Sequence, residues 1–239
     1  MSNTQLYWGD CLKIMDGLIA DGVKVDAILC DLPYGTTRNK WDSCIDLSEL
    51  WKRYKKIIKE NGVIALTAQT PFDKVLGCSN LEWLKYEWIW EKQQGTGHLN
   101  AKKMPLKAHE NILIFYNKQP VYNPQMKEGK PYICKSGKQS SNYGNQKSVE
   151  TINNGYRYPT SVLFFPYDKE HLHPTQKPLA LMEYLIKTYT NEGDLVLDNC
   201  MGSGTTGVAC KRTGRNFIGI ELDLNYYMIA QERINADNA

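Results

Sequence analysis

Residues 194–221 constrain the fold more than any other stretch of the chain. Asp194-Leu195-Val196-Leu197-Asp198 reads as a short buried strand. It runs directly into Asn199-Cys200-Met201-Gly202-Ser203-Gly204-Thr205-Thr206, and a helix from there to Lys211 is stopped at Thr213-Gly214. Asn216 to Ile220 reads as a further strand closed by Glu221, 19 residues after Gly202, and Leu224 to Ile234 as a last helix. Strand, glycine loop, helix, strand and acid in this order describe a parallel α/β unit with a nucleotide site: glycines let the backbone approach the ligand, and the acid grips a ribose diol. Gly202-Ser203-Gly204-Thr205-Thr206-Gly207 also matches the dinucleotide fingerprint literally, so that reading is open at this point.

A second element stands near the start. Val25 to Cys30 is an apolar run too short for a helix, and it delivers Asp31-Leu32-Pro33-Tyr34-Gly35 to a sheet edge. These residue types suit the grasp of a planar molecule that carries an amino group. The Asp31 carboxylate accepts one N–H, a backbone carbonyl beside Pro33 accepts another, and the Tyr34 ring stacks on the plane. Taken alone, an Asp before a Pro is more often a turn former.

The intervening chain alternates helical and extended segments, the order of an α/β domain. Gln5 to Gly9 reads as a strand ending at Asp10, and Cys11 to Ala20 as a helix. A helix is expected from Asp46 to Glu60, with Leu47, Leu50, Trp51, Tyr54, Ile57 and Ile58 inward and Asn61-Gly62 as its stop. Val63 to Thr67, Tyr86 to Trp90, Asn111 to Tyr116 and Ser161 to Phe165 read as β segments, with residues 91–110 a loop. His173-Pro174-Thr175-Gln176-Lys177-Pro178 opens a helix that Asn191-Glu192-Gly193 ends.

At 239 residues and 42% hydrophobic content the chain can fill a full core. The seven cysteines are odd in number, scattered and never in a Cys-x-x-Cys pair, which argues against a disulfide framework or a zinc site. No metal is expected, and no apolar window approaches the roughly 20 residues of a membrane span, so a soluble, cytoplasmic protein is expected with no membrane partner.

The net charge of +3 is too small to name a partner, but it is unevenly spread. Residues 117–160 hold six Lys and one Arg against Glu128 and Glu150, a local charge of +5, together with five tyrosines and many Asn, Gln, Ser and Gly. That mixture fits a loop-rich insertion touching phosphates and bases, and it fits a solvated surface excursion equally well. The expected organisation is a first half at 1–116, the basic insertion at 117–160, and a second half at 161–239.

Three motifs in order, Asp31-Leu32-Pro33-Tyr34-Gly35, His173 to Pro178, and Asp198 to Thr206, resemble those of the β-class amino-methyltransferases of DNA. Their company decides against hydride transfer, which has no use for the first motif or the insertion. The resemblance covers most of residues 4–235 and implies a circularly permuted, seven-stranded, mostly parallel Rossmann-like sheet with the catalytic half first. It implies S-adenosylmethionine as cofactor, double-stranded DNA as partner, and methylation of an exocyclic amine, with a homodimer left open.

Carried over by residue, Asp31 accepts from the target amine, Leu32 offers its carbonyl next to Pro33, and Tyr34 stacks on the base. Asp10, Asp198, Gly202, Ser203, Gly204, Thr205 and Glu221 border the cofactor, and His173, Thr175 and Lys177 meet its methionine end. Lys130, Lys135, Lys138 and Arg157 are the candidate DNA contacts. The family usually has Pro where Leu32 stands and an aromatic where Cys200 stands. Asp31 favours adenine N6 as target; cytosine N4, RNA and a protein amide are the alternatives.

Overall fold

The computed structural model describes residues 3–35, 44–135, 150–169 and 176–237. Strand β1 (Thr4–Trp8) leads to helix α1 (Cys11–Ala20), then β2 (Val25–Asp31), α2 (Leu47–Ile57), β3 (Ile58–Ala68) and α3 (Phe72–Cys78). Strands β4 (Leu84–Thr96) and β5 (Lys107–Phe115) form a hairpin. Four short strands follow, β6 (Lys127–Glu128), β7 (Tyr132–Lys135), β8 (Glu150–Asn153) and β9 (Tyr156–Arg157). The chain continues through β10 (Val162–Phe164), α4 (Leu179–Tyr189), β11 (Leu195–Asp198), α5 (Thr205–Arg212), β12 (Asn216–Glu221) and α6 (Leu224–Ala236).

The main sheet has the order β1-β12-β11-β2-β3-β5-β4-β10. It is parallel except where β5 runs against β3 and β4. Eight strands stand where the family resemblance implied seven; the additional one is β10, which pairs with β4 over Val162 to Phe164 at the edge. β1 lies beside β12 with Trp8 opposite Glu221, as expected of a permuted chain.

Alternate residues of the central strands feed two cores. Ile28 and Cys30 of β2, with Ile64 and Leu66 of β3, pack with α1 and α2 through Met15, Leu50, Trp51 and Tyr54. Ala27, Leu29, Val63 and Ala65 turn to the opposite face, where Leu181, Leu185, Val208 and Ile234 of α4, α5 and α6 cover them. This period of two, with helices on both faces, is why the strands read as continuous apolar runs. In α2, Leu50, Trp51, Tyr54 and Ile57 are buried on one stripe, each contributing about 1.5–3 kcal/mol of burial.

Two element boundaries differ from the sequence expectation. Helix α2 ends at Ile57, and Ile58 already pairs with Val25 at the start of β3. A Cβ at Gly62 would lie 2.8 Å from the Asp26 carbonyl, so this glycine serves close strand approach and not a helix stop. The 91–110 segment is also mostly strand, because β4 and β5 continue to Thr96 and from Lys107. Their outer ends are largely exposed, which removes the apolar alternation that would have marked them.

By contacts the chain divides into residues 1–123 with 161–239, and a smaller unit, Pro124–Thr160. Residues 117–123 therefore group with the larger unit, where Asn123 N donates to the Thr188 carbonyl at 2.7 Å. The smaller unit contains two ladders, β6 with β9 and β7 with β8. Among the described residues no helix is long and apolar enough to cross a membrane.

Candidate active site

The C-terminal ends of β2, β11 and β12 open into one cleft of about 510 Å³. Asp10, Asp31, Leu32, Pro33, Tyr34, Lys177, Asp198, Gly202, Ser203, Thr205 and Glu221 all line it, so most of the sequence candidates converge. His173 and Thr175 lie outside the described residues, as does Lys138.

At one end stands Asp31. Its Oδ1 accepts from the Tyr34 hydroxyl at 2.6 Å and from the Thr67 hydroxyl. Its Oδ2 accepts from Lys177 Nζ at 2.5 Å. Phe72 stacks against the Tyr34 ring at 5.3 Å between centroids, backing the aromatic that the sequence singled out. Burial, with the charges of Asp31 and Glu110, pushes the Tyr34 phenol well above its ordinary value, so it remains a donor.

Lys177 also lies 3.2 Å from Glu110 Oε2. Glu110 Oε1 accepts from Lys92 at 2.5 Å and from Gln69 Nε2 at 2.7 Å. Burial alone would lower the Lys177 ammonium, but Asp31 and Glu110 together outweigh it and hold the value above normal. Burial likewise works to raise the Glu110 carboxyl, and Lys177 and Lys92 reverse the sign. Thr67, Gln69, Phe72, Lys92 and Glu110 had not been identified from sequence.

The other end is built on Glu221, whose carboxylate is held by backbone. Gly202 N donates to Oε2 and Asp223 N to Oε1, each at 2.8 Å. Burial raises its carboxyl above the usual range despite these bonds. Asp198 accepts from the Thr206 hydroxyl at 2.6 Å and from Cys200 N at 3.1 Å, stapling the glycine loop to its strand. Asp10 caps α1, accepting from Leu12 N and Lys13 N at 2.9 and 3.1 Å. Gln176, absent from the sequence candidates, accepts from the Ser203 hydroxyl at 3.3 Å and so joins the middle motif to the loop.

The loop glycines divide their work. Gly202, at φ +52°, lines the cleft. Gly204 is not among the lining residues, and a Cβ there would meet Ala230 Cβ at 2.9 Å. At Gly207 a Cβ would meet Ile234 Cδ1 at 2.4 Å. Both glycines let α5 seat against α6. The loop is further tied to α6 by Arg233, which donates to Thr205 Oγ1 at 2.9 Å.

In the smaller unit Lys130 and Lys135 are exposed. The Arg157 guanidinium donates to Asn153 and to the Lys130 carbonyl, and lies 4.5 Å from the Tyr132 ring centroid. It braces this unit internally.

The chain is similar to known proteins over most of its length. DNA adenine methyltransferase YhdJ of Escherichia coli is 30% identical over 95% of this chain and 81% of its own length. The crystal structure of the M1.HpyAVI–SAM complex superposes with a TM-score of 0.68 at 29% identity, over 96% of this chain and 99% of that one. The cytosine-N4-specific PvuII DNA methyltransferase gives 0.71 over 100% of this chain and 89% of that one; at 16% identity it speaks for the fold alone. The family model described as DNA methylase matches residues 25–232, a span that contains both Asp31 and Glu221, and the chain belongs to that N6/N4 DNA methylase family.

Proposed function

We propose that this protein transfers a methyl group from S-adenosylmethionine to the exocyclic N6 amine of an adenine flipped out of duplex DNA. The observation that carries the reading is the union in one cleft of an amine-grasping end, Asp31 with Leu32 and Tyr34, and a ribose-gripping end, Glu221 beside Gly202. The residues present fit a nucleoside cofactor. Each Glu221 oxygen spends one acceptor position on a backbone N–H and keeps capacity for a diol hydroxyl. Met201, Leu222 and Tyr226 supply apolar wall next to it. When bound, the cofactor supplies a methyl on a sulfonium sulfur, which leaves as a neutral thioether.

The work of the chain's own residues follows from the substrate. The lone pair of an adenine amine is delocalised into the ring, so the nitrogen is a poor nucleophile. Acceptors at Asp31 and at the Leu32 carbonyl hold its two N–H bonds, localise the pair and aim it along the line of displacement. A paired base cannot reach such a cleft, and extrusion costs about a few kcal/mol of unstacking. Tyr34, backed by Phe72, offsets part of that loss.

Adenine is favoured over cytosine by Asp31 at the head of the motif and by the activity named for the E. coli relative. Lys130, Lys135 and Lys138 of the basic segment are assigned to the duplex backbone, with Arg157 holding the segment in shape from within. His173 and Thr175 are assigned to the methionine end of the cofactor, and the cytoplasm is the compartment that suits such an enzyme.

The test is incubation of unmodified plasmid DNA with methyl-labelled cofactor, followed by nucleoside mass spectrometry. N6-methyladenine is expected. N4-methylcytosine without methyladenine overturns the choice of base, and label found only in RNA or protein overturns the choice of substrate.

A further inference from the structure

The proposed reaction uses Asp31 but leaves unexplained the buried charges beside it. A carboxylate offers about four lone-pair sites. Three at Asp31 are taken: two on Oδ1, by the Tyr34 and Thr67 hydroxyls, and one on Oδ2, by Lys177. The remaining site is on Oδ2, next to the ammonium. Of the three charged side chains in line, Lys177 is 8% exposed and Glu110 6%, while Asp31 is 26% exposed and lines the cleft. The acid can meet a ligand while its partners stay covered.

Glu110 is the fixed end of this line. Lys92 and Gln69 hold its Oε1, whereas Oε2 is ion-paired with Lys177 at 3.2 Å, a contact short of an aligned hydrogen bond. A buried carboxylate oxygen gains from a tighter bond to its cation. Lys177 therefore stands between two acids, close to Asp31 at 2.5 Å and more loosely paired with Glu110. The two acids and two lysines balance in charge, so the ammonium can move between them without leaving net charge buried.

We propose that Lys177, seated by Glu110 and Lys92, is a positioning residue for the base side of the cleft. It sets the Asp31 carboxylate so that the target N–H lands on Oδ2, and as that bond forms the ammonium tightens onto Glu110 Oε2. The inference rests on the amine-methylation reading above. It gives Lys177 a task distinct from the cofactor contact that its motif implies.

Two variants test it. For Lys177→Gln, cofactor affinity by calorimetry is expected to stay within about twofold, while kcat falls about 10²-fold at saturating DNA and cofactor, as for a displaced reacting group. The second is the charge-balanced Lys92→Met/Glu110→Gln double variant, which keeps the Asp31–Lys177 pair. It should fold by circular dichroism, keep its KM for DNA, and lose about tenfold in kcat. A rise above about tenfold in the cofactor dissociation constant of Lys177→Gln returns Lys177 to the methionine carboxylate and overturns the proposal. So does a kcat within about threefold of wild type in either folded variant. If the double variant fails to fold, Lys177→Gln decides alone. A wild-type protein that methylates no DNA overturns the proposed function instead, and the positioning role falls with it.

Discussion

The two acids that define the cleft are held in opposite ways. Asp31 is surrounded by side chains, two hydroxyls and an ammonium that itself touches a second acid. Glu221 is held by two main-chain amides fixed by the turn after β12 and by the glycine loop. Side-chain partners can rotate and exchange, whereas amides in an ordered backbone cannot move without moving the fold. The difference suits one end to a partner whose bonding changes during reaction and the other to a ligand that only has to be gripped.

Breaking the first end should have the largest effect. Asp31→Ala is expected to lower kcat by at least about 10³-fold, with cofactor affinity by calorimetry near wild type; normal turnover would remove Asp31 from the chemistry. At the second end, Glu221→Ala should raise the cofactor dissociation constant by about 10- to 100-fold, the size of lost hydrogen bonds to a charged group. Much of kcat should return at saturating cofactor, and an unchanged affinity would dissolve the contrast.

A third measurement sharpens the comparison through the acid that staples the loop. Burial pushes the Asp198 carboxyl up to about 7. In the unfolded chain it ionises near its ordinary value of about 4. Between those values the folded state keeps a proton that the unfolded state has released, so this group's contribution to stability falls as pH rises from about 4 to about 7. Asp198→Asn should flatten that part of the Tm-against-pH curve; a curve identical to wild type would show that the carboxyl is not raised. The smallest effect is expected in the basic segment. Replacing Lys130, Lys135 and Lys138 with Gln should weaken DNA binding and reduce the slope of log K against log salt by at most about 3. An unchanged slope in anisotropy titrations would leave these lysines as solvated surface.

The parts legible in the sequence share one property. Asp31 and Glu221 each follow an apolar run directly, and both runs are parallel strands, so an acid at the end of the run falls on the edge where ligands bind. Glu110 lies at the same edge yet reads differently. β5 is antiparallel to β3, so its residues near that edge come at the start of the apolar run, after a polar stretch that looks like loop. Lys92 and Gln69 were hidden for a related reason, since nothing local marks a polar residue as buried by a distant partner. Gly204 carries a demand beyond the fingerprint: at φ +79° it needs a glycine by its backbone alone, and it is also crowded by Ala230, 26 residues away in sequence.

That contact makes the glycine loop and the last helix mechanically one piece. Gly204 and Gly207 bring α5 against Ala230 and Ile234, while Arg233 reaches back to Ser203 and Thr205. Hydrogen exchange should find them opening together as a cooperative unit, so fraying that starts in α6 would dismantle the Glu221 end of the cleft while leaving Asp31 and its partners assembled.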